Sequence, residues 1–109
     1  MNYNELAITA RIQKIHPEAQ FDGKNGKPIR RIAIDFEVPT ERPNSGTGET
    51  SGNYYAAQMQ LLNGAIDTFR AQNLAVGDWA IVEFRLSGRE SQGKIFNNLN
   101  IIKLSKTKP

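Results

Sequence analysis

Apolar and polar side chains alternate along residues 5–15, with Leu6, Ile8, Ala10 and Ile12 on one side and Ala7, Thr9, Arg11 and Gln13 on the other. That period belongs to a strand buried on one face. It returns over residues 29–38, where Ile32, Ile34, Phe36 and Val38 turn inward and Arg31, Ala33, Asp35 and Glu37 turn outward. Over residues 53–62, Tyr55, Ala57, Met59 and Leu61 share one face, and Tyr54, Ala56, Gln58 and Gln60 share the other, expected to face solvent. Residues 65–72 change period: Ile66 and Phe69 stand three apart, and Ala65, Phe69 and Asn73 four apart, which predicts one short helix. Alternation resumes over 79–86, with Ala80, Val82, Phe84 and Leu86 inward, and again over 94–104. In the last segment Leu99 and Ile101, then Ile102 and Leu104, break the period and predict a bulge.

The connectors are read from turn chemistry. Residues 21–28 and 87–93 concentrate Gly, Asn, Ser and Asp between strands and predict two hairpin loops. Residues 39–52 carry almost nothing apolar to offset the entropy of ordering, so they are expected to form a long mobile loop. The polar tail 105–109 is expected to fray. A chain of 109 residues supports one core, so it is read as a single domain. Strand, hairpin, strand, long loop, strand, helix, strand, hairpin, strand is the order of an all-β, five-stranded OB-fold barrel with one helix between strands 3 and 4.

Composition narrows the chemistry. There is no cysteine, which removes disulfides and thiolate ligands, and a single histidine, His16, read as a plain surface residue. No cofactor and no metal is expected. Apolar runs are too short for a membrane span, and the start of the chain has no export leader, so a cytoplasmic setting is expected. The net charge of +3 permits a polyanionic partner without requiring one. It is unevenly placed, with seven basic and four acidic residues from Tyr55 onward against seven of each before.

The segment Gly77-Asp78-Trp79-Ala80-Ile81-Val82-Glu83-Phe84-Arg85-Leu86 resembles the G-D-x-v-x-V-x-G-x-L strand of bacterial and phage single-stranded DNA-binding proteins, which also follows the helix there. Residues 59–69, Val76-Gly77-Asp78, Gly88-Arg89-Glu90 and Phe96-Asn97 are similar to short OB domains of unassigned role related to those proteins. The resemblance implies an OB fold and single-stranded DNA as partner, in replication, recombination or repair. Two departures stand out: Phe84 replaces a usual Gly, and Lys103, Lys106 and Lys108 stand where an acidic tail would recruit replication partners. Recruitment through such a tail is not expected.

Single strands are held by cations that track phosphates and by rings on which bases stack. In an OB barrel both hairpins flank the ligand face. This singles out Lys24, Lys27, Arg30 and Arg31 by the first hairpin, and Arg85, Arg89 and Lys94 by the second. Taken one at a time, each is an ordinary solvated charge; their grouping on two hairpins carries the reading. Alternation puts Tyr54 and Tyr55 on opposite faces, Tyr54 outward for stacking and Tyr55 in the core. Phe96 is the second stacking candidate, and Phe36 belongs to the core. Trp79, on the face of Ile81, lies outside the core, against the helix or in a subunit contact, and the pair suggests a homo-oligomer, dimer or tetramer. RNA is an alternative ligand. The carboxylates of Asp35, Glu37, Asp67, Asp78, Glu83 and Glu90 come with no nucleophile or base arrangement, so no catalysis is expected. The competing reading is an OB-fold interaction or assembly module without nucleic-acid binding, favoured by Asp35, Glu37 and Glu41 near the expected face.

Overall fold

The computed structural model describes residues 5–23, 25–40 and 54–108. Seven elements follow in order: β1 (Glu5–Ile15), β2 (Ala19–Asp22), β3 (Pro28–Pro39), β4 (Tyr54–Leu62), α1 (Gly64–Ala71), β5 (Trp79–Ser91) and β6 (Lys94–Lys106). The predicted strands are β1, β3, β4, β5 and β6, with the predicted helix between β4 and β5. Strand β2 is new: four exposed residues paired antiparallel with the start of β3. The stretch 39–52 lies almost wholly outside the described residues.

The sheet order is β1-β5-β6-β4-β3-β2, and β1 pairs with β3 as well, so the five long strands close into a barrel. β2 and β1 share one edge of β3, β2 taking residues 28–31 and β1 residues 34–37. The other closure is the parallel pair Gln60↔Asn100 between β4 and β6. The predicted bulge is present: Glu83 pairs with Lys103 and Phe84 with Ile101, leaving Ile102 as the extra residue.

Inward positions fill the barrel, and Phe36, Ile12, Ile34, Leu61, Ile66 and Val82 are fully buried. Each such side chain contributes about 1.5–3 kcal/mol relative to exposure. Ile66 and Phe69 plug the barrel from α1. The helix is tied to β3 through Asn63, whose side-chain oxygen accepts from the Arg30 amide at 3.1 Å while its own amide donates to the Arg30 carbonyl at 3.0 Å. The Gly-Asp segment has a structural role: Gly77, at φ +96°, donates its amide to the Ile12 carbonyl, and Asp78 accepts from the Ala75 amide. Phe84 packs in the core.

Four expectations change. Tyr55 is 70% exposed, and Leu6 and Leu86, also expected inward, are exposed as well, because these inward positions have run past the barrel rim. Residues 87–91 are strand rather than loop, and β5 and β6 form a long arm closed by Gln92 and Gly93, both at positive φ, as a two-residue hairpin turn requires. The tail pairs farther than expected: Lys106 faces Ala80, and the Thr107 amide donates to the Trp79 carbonyl. Trp79 lies outside the core cluster but is buried within the chain, its ring under the Arg11 guanidinium at 5.3 Å. It therefore exposes no face to a second subunit, although Ile81 remains exposed.

Candidate nucleic-acid interface

Strand pairing decides which outward side chains meet. On β3 and β4 the outward pairs are Ala33/Gln60, Asp35/Gln58 and Glu37/Ala56, with Arg31 and Tyr54 at opposite ends. On the arm, Ser87, Arg89, Phe96, Asn98 and Asn100 share the corresponding face. The two halves join through a directed chain of side-chain hydrogen bonds. Arg31 Nε donates to Gln60 Oε1 at 2.7 Å, Gln60 Nε2 to Asn100 Oδ1 at 2.5 Å, and Asn100 Nδ2 to Ser87 Oγ at 3.1 Å. An open groove of about 380 Å³ runs beside this chain, lined by Arg31, Gln58, Gln60, Asn97 and Asn98 over an apolar floor of Met59, Leu86 and Leu99.

The nine candidate residues divide. Lys24 lies outside the described residues. Lys27 is exposed at the β2–β3 turn, and Arg89 and Lys94 are exposed on the arm, with no ion pair among the described residues. Arg31 is half-buried and bound to an amide rather than a carboxylate, so its charge is not neutralised locally. Arg30, next to it in sequence, points to the other face and is claimed by acids. It reaches Asp67 at 3.0 Å and Glu18 at 3.2 Å, and Arg70 reaches the same Glu18 oxygen at 2.9 Å. Hydrogen bonding to Asp67 and Glu18 raises the Arg30 pKa, and the Arg30 contacts hold Glu18 and Asp67 below the ordinary carboxylate value. Arg85 is tied to Glu5 at 2.7 Å. Arg30 and Arg85 thus act as fasteners of the fold.

Tyr54 and Phe96 are each about half exposed on the outward face, as stacking would require. Phe21, exposed on β2 and sharing its face with Arg31, is a further ring that the loop reading concealed. The amides of Gln58, Gln60, Asn97, Asn98 and Asn100 were also not singled out; alternation had marked the two glutamines as outward, but nothing local showed that β6 would bring three asparagines beside them.

The acids on this face are engaged. Glu37 accepts from Arg11 Nε at 2.8 Å and from Arg11 Nη2. Asp35 accepts from Gln58 Nε2 at 2.9 Å and lies 2.9 Å from His16 Nε2, so His16 is not the plain surface residue its sequence context suggested. The Gln58 hydrogen bond first, and His16 second, lower the Asp35 pKa. No group of three or more potential metal ligands occurs among the described residues, and no helix there is long and apolar enough to cross a membrane.

No family model and no curated protein matches the chain. Solved structures do. A mitochondrial single-stranded DNA-binding protein from S. cerevisiae superposes with a TM-score of 0.64 at 14% identity, covering 99% of this chain and 97% of that one. A small single-stranded DNA-binding protein from Streptomyces coelicolor gives 0.58 at 18% identity, covering 98% and 95%. The N-terminal domain of PriB from Thermoanaerobacter tencongensis, described as dimeric, gives 0.61 at 15% identity, covering 97% and 98%. The barrel of this chain is an OB fold, and it superposes on these structures over nearly its whole length.

Proposed function

We propose that the chain binds single-stranded DNA, without strong dependence on sequence and without catalysis, along the outward face of β3, β4 and the β5–β6 arm. The observation that carries this reading is Arg31: a half-buried cation held by an amide, lining the groove between β4 and the arm. Lys27, Arg89 and Lys94 supply further charge for phosphates, and Tyr54 and Phe96 supply rings, with base stacking contributing on the order of 1–3 kcal/mol each. Similarity to structures named as single-stranded DNA-binding proteins, one of them a Plasmodium falciparum complex with ssDNA, supports the same ligand. The mechanism is passive: phosphates are neutralised, bases stack, and the strand is kept open for replication, recombination or repair in a cytoplasmic setting. A homo-oligomer is part of the reading, supported by the dimeric neighbour and by exposed Leu6, Ile81 and Ile102 on β1, β5 and β6. Of the acids that favour the assembly-module alternative, Asp35 and Glu37 are engaged by His16, Gln58 and Arg11, and Glu41 lies outside the described residues.

The test is fluorescence anisotropy of a labelled oligo(dT) at low salt, comparing the native chain with Arg31→Ala/Arg89→Ala/Lys94→Ala. Saturable binding that the triple variant weakens at least tenfold supports the proposal; equal affinity in the two proteins refutes the placement of the site.

A further inference from the structure

The groove beside β4 presents a fixed pattern of hydrogen-bonding groups. Gln60 is engaged at both ends of its amide, by Arg31 and by Asn100, and this orients the Arg31 guanidinium through Nε. Both Nη groups of Arg31 are then left without a partner among the described residues, as two donors in one rigid fork. Gln58 is oriented in the same way: its Nε2 donates to Asp35, which leaves Oε1 as an acceptor. Both side chains line the groove. It thus offers two adjacent donors and, on the same face, one acceptor.

Base edges differ in how they answer that pattern. Guanine carries N7 and O6 as adjacent acceptors, followed by the N1–H donor. Cytosine carries O2 and N3, followed by the N4–H donor. Adenine and thymine alternate donor and acceptor along their edges and offer no two neighbouring acceptors to a fork. Arginine bidentate to guanine O6 and N7 is the commonest specific base contact for this reason. We infer that the groove is a base-selective subsite, taking guanine or cytosine in preference to adenine or thymine through the Arg31 fork and Gln58 Oε1. This rests on the binding proposed above, and adds one selective position to an otherwise sequence-tolerant track. Asn97 and Asn98 also line the groove, and their amides can turn to serve either edge.

The experiment compares oligo(dT) with the same length of oligo(dT) carrying isolated dG, dC or dA substitutions, spaced so that guanines cannot associate. The native chain is expected to bind the dG- and dC-substituted strands about tenfold more tightly than the dT and dA strands, within the range one bidentate contact supplies. Arg31→Lys keeps the charge and removes the fork, so whatever its affinity for oligo(dT), the ratio of dG-strand to dT-strand affinity should fall to about one. Gln58→Met should likewise reduce the ratio of dG-strand to dT-strand affinity. Equal affinity for all four strands, with oligo(dT) itself bound, overturns the subsite and leaves the binding proposal intact. Absence of oligo(dT) binding at low salt overturns both.

Discussion

Arg11 and Glu37 face each other across the β1–β3 seam that closes the barrel. Arg11 donates twice to one carboxylate oxygen, while its guanidinium covers the Trp79 ring. The Glu37 side chain is 10% exposed and that of Arg11 30%, so the pair lies between the surface case, where ion pairs contribute 0–1 kcal/mol, and the buried case, where breaking one costs about 3–5 kcal/mol. Glu37→Ala lets the guanidinium turn toward water, which recovers part of the loss, and also removes packing from a closed seam. A destabilisation of about 2 kcal/mol follows, comparable to one charge-assisted hydrogen bond. For a domain of this size that lowers Tm by roughly 8–16 °C. Urea and thermal unfolding of the native chain, Glu37→Ala, Arg11→Ala and the double variant measure it, and the double-mutant cycle should return a coupling of at least about 1 kcal/mol. A loss below about 0.5 kcal/mol, or two single effects that simply add, would refute the claim that this pair fastens the seam.

Three further outcomes are expected. Arg30→Ala should leave oligo(dT) affinity within about twofold of native, whereas Arg31→Ala should weaken it and make the salt slope shallower by about 0.7, as loss of one phosphate contact requires; equal losses from both would contradict the division between fastener and ligand face. Asp35 has a folded pKa below its ordinary value of 3.8, so its contribution is fully present above that value and is lost as pH falls through the lower folded pKa. Urea midpoints should accordingly decline less steeply with acid in Asp35→Asn than in the native chain, and parallel curves would show that Asp35 is not held down. Phe96→Ala and Tyr54→Ala should each weaken oligo(dT) binding by about 1–3 kcal/mol without changing the salt slope, which separates stacking from charge.

Most of the barrel is legible in its alternation because one-sided burial imposes a period of two, and Ala10, Ile12, Ile32, Ile34, Phe36, Met59, Leu61 and Val82 all obey it. Three of the failures share a cause: they lie where a strand leaves the barrel. Ala19–Asp22 is exposed throughout, so no apolar face marks it as a strand. The arm residues 87–91 pair by backbone while both faces stay exposed or half-exposed, and their composition reads as loop. Tyr55 keeps the inward parity of its strand but has no core left to enter. For the candidate site, basic residues near the hairpins were visible, but their partners were not. Glu18 and Asp67, far from Arg30 in sequence, neutralise it, whereas its neighbour Arg31 meets Gln60 and stays available as a cation. Only long-range pairing distinguishes these two adjacent arginines.

The most direct measurement is the affinity for oligo(dT) across a salt series. Contacts from Lys27, Arg31, Arg89 and Lys94 to phosphates predict saturable binding at low salt and a log–log slope of about −3, at roughly −0.7 per contact on single strands. Failure to bind at low salt, or an affinity unchanged as salt rises, would contradict a single-stranded DNA track on the outward face of this barrel.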